Sequence, residues 1–254
     1  MTRVIAVANQ KGGVAKTTSV ASLAAALSEQ GRTVLVVDLD PQACLTFSLG
    51  FEPDQIQPTI HDVLVGRAGV AATVLTVLEE KFDLVPSNID LAGAEAYLLT
   101  RTGREYALRS ELEQIEEHYQ IVVIDCPPSL GVLTINALTA ATEVLIPLQC
   151  ETLSHRGVGQ LLSTIEDVRR LTNRDLHVSG ILPTMFDLRT NHAREVLDDV
   201  GRRYNLRVLD PPVGRSVRFA EAPREGCTIL RYSPSHPGAE AYRALARELA
   251  PQGV

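Results

Sequence analysis

Asn9-Gln10-Lys11-Gly12-Gly13-Val14-Ala15-Lys16-Thr17-Thr18 is the stretch that decides the fold. It follows the apolar run Val4-Ile5-Ala6-Val7-Ala8, which reads as a buried parallel strand, and precedes an alanine-rich span from Ser19 to Leu27, which reads as a helix. Strand, glycine-rich loop and helix in that order aim successive backbone N–H groups and a helix N-terminus at one point, the arrangement that binds phosphate. In such a loop Lys16 is placed to reach the outer phosphates and the Thr17 hydroxyl to ligand a magnesium ion. An incidental turn has no need of a lysine followed by two threonines at the helix entry.

Working outward, residues 33 to 42 give a second apolar strand ending in Asp38, followed by Asp40, Pro41 and Gln42. Ile121-Val122-Val123-Ile124-Asp125 is a third, leading into Cys126-Pro127-Pro128-Ser129. Carboxylates at the C-terminal ends of such strands lie at the crevice of an open α/β sheet. Any one of these acids alone could merely cap a helix or turn, but the loop and both strand-end elements in order make coincidence improbable. Further strands are expected over Glu143–Gln149 and Gly180–Asp187, with helical segments between. The fold class is therefore α/β, a doubly wound, mostly parallel sheet with helices on both faces, in one domain spanning residues 1–254.

The loop departs from the ordinary phosphate loop in one respect: Gln10 stands where that motif opens with glycine, and a surplus lysine, Lys11, follows. The pattern Lys-Gly-Gly-x-x-Lys-Thr-Thr over residues 11–18 resembles the deviant phosphate loop of the ParA/MinD family of ATPases, and the likeness extends over nearly the whole chain. Residues 216–223, Ser-Val-Arg-Phe-Ala-Glu-Ala-Pro, are similar to the Soj-like ParA branch in particular. The resemblance implies ATP or ADP with Mg²⁺ as cofactors, bound along Lys11, Gly12, Gly13, Val14, Ala15, Lys16, Thr17 and Thr18. It implies that Lys11 crosses a nucleotide-sandwich homodimer to the partner's phosphates, with Lys11, Lys16 and Asp40 as the catalytic set. Asp40 matches the acid that orients the attacking water, Asp38 lies nearer the metal, and Asp125 matches the Walker B acid, so Thr17, Asp38 and Asp125 form the expected metal set. Met185, Pro212 and Arg215 are expected to border the adenine, although Gly214 replaces a usual proline. Arg189 and Arg218 match positions that bind DNA without sequence preference, and a ParB-like stimulator is the implied protein partner. The alternative to Lys11 as an inter-subunit group is a solvated lysine beside an anion site.

Composition fits this reading. The 254 residues are 45% hydrophobic and carry a net charge of −7, unevenly spread. Up to residue 186 there are 13 Lys and Arg against 22 Asp and Glu; beyond it there are 11, all arginine, against 9. Arg189, Arg194, Arg202, Arg203, Arg218 and Arg224 could thus form a stripe for DNA phosphates, or simply solvated faces paired with Glu195, Asp198 and Asp199. The four cysteines are widely spaced with no Cys-x-x-Cys pair, which disfavours a zinc site, a disulfide framework or a shared iron–sulfur cluster. No run of about 18 apolar residues occurs, and the first strand starts at once, so neither a signal peptide, a membrane span nor an N-terminal DNA-reading extension is expected. The tail from Glu240 to Pro251 has a small apolar face and mixed charges, which suits docking on the domain rather than lipid insertion. The expected location is the cytoplasm, on the nucleoid.

Two departures stand out. Ala15 occupies the position before Lys16 where the family has glycine, and residues 151–157 carry His155 and Arg156 where relatives have aromatic and acidic residues. The function expected is an ATP-driven switch for chromosome or plasmid segregation. The alternatives are a nucleotide-binding scaffold with little hydrolysis, a cargo-positioning relative, and a metabolic ATP-dependent ligase of the dethiobiotin or cobyrinate type.

Overall fold

The computed structural model describes residues 2–151, 154–187 and 191–249; the side chains of residues 154, 155, 191 and 192 are also outside the description. Thr152, Leu153, Arg189 and Pro251 therefore lie outside the described residues, as does the side chain of His155.

The elements in chain order are β1 (Arg3–Val7), α1 (Lys16–Glu29), β2 (Val34–Asp38), α2 (Cys44–Ser48), α3 (Ile60–Leu64), β3 (Leu75–Val77), β4 (Phe82–Val85), α4 (Leu91–Leu99), α5 (Ala107–Leu112), β5 (Ile121–Asp125), α6 (Val132–Ala140), β6 (Glu143–Gln149), α7 (Ser154–Leu171), β7 (His177–Thr184), α8 (Asn191–Tyr204), α9 (Arg218–Glu221), α10 (Ile229–Tyr232) and α11 (Pro237–Leu249). Seven strands form one sheet in the order β3-β4-β2-β5-β1-β6-β7. Only the β3–β4 pair is antiparallel.

Side-chain alternation along the strands splits the core in two. Val4, Ala6, Val122, Ile124, Val144 and Ile146 face one layer, which includes Leu133 of α6 and Leu161 of α7. Ile5, Val7, Val34, Val36, Val123 and Leu145 face the other, against α1, α10 and α11. Helix α1 is buried on nearly every side, because it is clasped between the sheet and α11. Its run of alanines allows that close approach. On α11, Ala239, Tyr242, Leu245 and Leu249 are buried, so this helix docks on the domain.

The sheet reverses its order at β1. The chain leaves β1 through α1 toward β2 and β5, then crosses through α6 to β6 on the other side. A crevice at the carboxyl ends of the strands is expected at such a switch point, and the loop after β1 opens into it.

Three boundaries differ from the sequence expectation. Helix α1 begins at Lys16 rather than Ser19, since Ala15 makes the turn in one residue and Ser19 N–H already donates to the Ala15 carbonyl at 2.9 Å. Strand β1 runs Arg3–Val7, one residue earlier than the apolar run suggests. Strand β7 covers His177–Thr184 instead of Gly180–Asp187; it ends where Met185 turns to φ 48°. Gly180 is required inside β7, because a Cβ there would come within 2.9 Å of the Arg207 carbonyl and 3.0 Å of Leu209.

Candidate nucleotide and metal site

The loop from Asn9 to Ala15 is fixed to neighbouring strands by side-chain hydrogen bonds, one from its own Asn9 and one from Thr184. Asn9, 3% exposed, donates through Nδ2 to the Pro147 carbonyl at 2.7 Å and accepts the Lys11 N–H through Oδ1 at 3.0 Å. Thr184 Oγ1 donates to the Val14 carbonyl at 3.0 Å, tying the loop to the end of β7. Gly13 and Ala15 both take left-handed conformations, at φ 73° and 63°. For Ala15 this strain is about 1 to 2 kcal/mol, since its Cβ crowds the carbonyl that glycine would leave free. Ala15→Gly is therefore expected to stabilise the protein by about 1 kcal/mol and raise Tm by about 2 to 4 °C, read by calorimetry. An unchanged or lower Tm would show that the turn is not strained.

The two lysines of the loop have different surroundings. Lys16, in the first turn of α1, is buried, and its ammonium donates to the Lys11 carbonyl at 3.4 Å. Lys11 sits at the rim with its side chain 36% exposed and forms an ion pair with Glu151 of the same chain. This pair stands in water-accessible surroundings and contributes at most about 1 kcal/mol.

The three acids also differ. Asp38 and Asp125 are register partners on adjacent parallel strands, and both are buried. Burial pushes the Asp38 carboxyl up to about 6 against the pull of its hydrogen bonds to Thr46 and Asp40. Those bonds come from Thr46 N–H at 2.9 Å, Thr46 Oγ1 at 2.7 Å and Asp40 N–H at 3.2 Å. Asp125 lacks such a set of donors: neither of its buried carboxylate oxygens has a hydrogen bond of good geometry, although the Thr17 hydroxyl lies close enough to favour the charged form. Burial, and then the charge of Asp38, hold it well above the usual carboxylate range, while the Thr17 hydroxyl and Lys16 oppose the rise. Two buried, unpartnered carboxylate oxygens facing a hydroxyl and a lysine fit a divalent cation, since Mg²⁺ takes one or two carboxylates and completes its shell with phosphate and water. Asp40 is half-buried, with Oδ1 accepting the Gln42 N–H at 2.9 Å.

Beside the loop lies a cavity of about 340 Å³. Gly13, Ala15 and Thr18 form one wall; Met185, Arg215 and Phe219 form another, with Tyr242 of α11 beyond. The second wall exists because residues 208–214 run alongside β7: Val213 N–H donates to the Pro183 carbonyl at 2.8 Å and Phe186 N–H to the Val213 carbonyl at 3.0 Å. Of the three expected base-site residues, Met185 and Arg215 line this cavity and Pro212 does not. Sequence reading missed Asn9, Thr184 and Tyr242. Tyr242 lies far along the chain, fully buried, and meets Ser19 Oγ at 2.9 Å through its hydroxyl.

The chain is similar over most or all of its length to known proteins. A family model described as an AAA domain matches residues 2–178. The sporulation initiation inhibitor protein Soj of Bacillus subtilis is 43% identical over 253 residues, covering 100% of both chains. The chromosome partitioning protein ParA of Myxococcus xanthus is 42% identical, covering 97% of this chain and 87% of its own. The chain belongs to the ParA/MinD family of ATPases. A crystal structure of a protein named cobyrinic acid a,c-diamide synthase from Mycobacterium smegmatis, with bound ADP and magnesium, superposes with a TM-score of 0.87 at 56% identity, covering 97% of this chain and 93% of that one.

The proposed DNA contacts of this ParA/MinD-family chain are only partly described. Arg189 lies outside the described residues. Arg218, at the start of α9, has its side chain 51% exposed, pairs with Glu221 at 3.0 Å and lies over the Tyr232 ring at 5.9 Å. Val217 beside it is 72% exposed, and Arg215 and Arg224 are exposed nearby in sequence. On α8, Arg194, Arg202 and Arg203 are exposed, with Arg202 Nε donating to the Asp198 carbonyl at 3.2 Å. Among the described residues no helix is long and apolar enough to cross a membrane.

Proposed function

We propose that this chain is a Soj-like ParA switch in which ATP with Mg²⁺ closes a homodimer, the dimer binds DNA without sequence preference, and hydrolysis to ADP separates it. The observation that carries this reading is the division of labour between the lysines: Lys16 is buried inside the phosphate loop, whereas Lys11 stands at its rim, where a second subunit's nucleotide can meet it. Thr17 and Asp125 would hold Mg²⁺, which neutralises phosphate charge when bound. Asp38, its oxygens already engaged, shapes the loop that carries Asp40. Asp40 accepts from and orients the attacking water, and Lys16 stabilises charge on the outer phosphates. Met185 and Arg215 flank the base.

Dimerisation doubles the arginines that meet phosphate, so DNA affinity rises steeply on ATP binding. Its cargo is a chromosome or plasmid, its location the nucleoid in the cytoplasm, and a ParB-like protein accelerates an intrinsically weak hydrolysis. Glu221 competes for Arg218, but an exposed pair of this kind yields readily to a phosphate. Arg218→Glu is expected to lower ATP-dependent DNA retention at least tenfold at low salt while leaving nucleotide affinity within about twofold. Retention on immobilised DNA with ATP, ADP and no nucleotide checks this. Retention that is absent, or equal in all three, favours a nucleotide-binding scaffold acting through a protein.

A second reading has one observation behind it, the 56% identity to the protein named cobyrinic acid a,c-diamide synthase. Amidation of a carboxylate needs an acceptor pocket and a nitrogen donor. A glutamine-cleaving thiol would need an acidic cysteine, yet all four thiols are held up, chiefly by burial. ATP turnover that depends on an added carboxylate acid would favour this second reading.

A further inference from the structure

The loop that carries Asp40 is closed by side chains from three chain segments. Asp38, at the end of β2, accepts from the Thr46 N–H, the Thr46 hydroxyl and the Asp40 N–H. Thr46 Oγ1 accepts in turn from the Ser87 N–H at 3.0 Å, and the Ser87 hydroxyl donates to the Asp40 carbonyl at 2.9 Å. That carbonyl also accepts the Ala43 N–H at 2.9 Å. Thr46 and Ser87 are both 0% exposed. The ring therefore grips Asp40 at its N–H and its C=O, one through Asp38 and Thr46, the other through Ser87. Asp40 itself remains half-buried, its carboxylate accepting the Gln42 N–H through Oδ1. A staple that served only to close the loop would be complete at Asp38 and Thr46. The additional reach of Ser87, from the segment after β4, is directed at Asp40, which is itself only half-buried.

We propose that Thr46 and Ser87 are positioning residues for ATP hydrolysis: they fix the Asp40 backbone so that its carboxylate meets the attacking water, and touch neither nucleotide nor water themselves. The inference rests on the reading of Asp40 as the water-orienting acid. Effective orientation depends on small displacements, and a shift of about 1 Å at a reacting group can slow a reaction about a hundredfold. Neither residue lines the cavity beside the phosphate loop, so ADP affinity is expected to change little when either side chain is altered.

The test compares single-turnover hydrolysis of Mg-ATP in wild type, Thr46→Val, Thr46→Ser, Ser87→Ala and Asp40→Ala, with ADP affinity and Tm measured alongside. Thr46→Val keeps the volume and removes the hydroxyl; Ser87→Ala removes one donor and leaves the Asp40 carbonyl its bond from Ala43. Hydrolysis is expected to slow about thirtyfold in Thr46→Val and about fivefold in Ser87→Ala, with ADP affinity within about twofold and Thr46→Ser within about threefold of wild type. Wild-type rates in Thr46→Val and Ser87→Ala, with Asp40→Ala inactive, would overturn the positioning role and leave Asp40 standing. Joint loss of rate and ADP affinity without rescue by Thr46→Ser would also overturn it, as a general structural defect. A wild-type rate in Asp40→Ala removes the underlying reading and this inference together. Should Thr46→Val fail to fold, the rate and ADP affinity of Ser87→Ala decide the matter.

Discussion

Asp125→Asn is expected to melt several degrees above wild type at pH 7.5 without nucleotide, while losing most of its stabilisation by Mg-ATP. Asp125 is 1% exposed and both of its oxygens lack a hydrogen-bond partner, so its charge is desolvated with little return until a cation arrives. Its carboxyl is raised by burial and by the neighbouring Asp38, and that of Asp38 is itself raised to about 6. A carboxyl raised in the folded state binds protons more tightly there than in the unfolded chain. Stability is therefore fullest below the unfolded value near 4 and falls as pH rises through the folded value. For Asp38 the fall lies between about pH 4 and 6 and is on the order of 3 kcal/mol, at about 1.4 kcal/mol per unit. Asparagine at position 125 removes the desolvated charge there and its repulsion with Asp38. Thermal melts between pH 4 and 8 check both effects. A flat wild-type profile together with an unaltered Tm for Asp125→Asn would contradict the picture of two crowded, buried acids.

Lys11→Ala is expected to bind ATP with nearly wild-type affinity as a monomer and to form the dimer at least about thirtyfold less well. Inside one subunit, Lys11 contributes an exposed ion pair with Glu151, whose loss costs little. In the proposed dimer the interaction removed would be of another kind, a charge-assisted contact to phosphate sealed from water between two subunits. Truncating one member of such a pair typically costs about 2 to 5 kcal/mol, which the sandwich model assigns wholly to association. Lys16→Ala would instead abolish nucleotide binding at the start, since Lys16 belongs to the phosphate loop of a single chain.

Much of the molecule was legible from sequence because its central strands are buried on both faces. β1, β2, β5 and β6 read as uninterrupted apolar runs, and each ends where the next functional residue begins. β3 and β4 were not legible: they are short, they pair at the sheet edge, and Glu79, Glu80 and Lys81 separate them. β7 was read three residues late, since His177 and Ser179 interrupt its apolar pattern and Gly180 looks like a beginning rather than a close approach to Arg207. In the site, the phosphate loop and the strand-end acids were visible as motifs. The different states of Asp38 and Asp125 were not, because they follow from which carboxylate receives the Thr46 hydroxyl. Asn9, Thr184, Ser87 and Tyr242 act through partners 41 to 223 residues away along the chain, and no local spacing announces such contacts.

The central claim is that two chains complete one nucleotide site, and sizing by light scattering on wild type and Lys11→Ala, each with Mg-ATP, Mg-ADP and no nucleotide, tests it most directly. The account predicts a dimer only for wild type with ATP, and a monomer for Lys11→Ala in all three conditions with ATP binding retained in a parallel titration. A Lys11→Ala protein that dimerises with ATP as readily as wild type would contradict it.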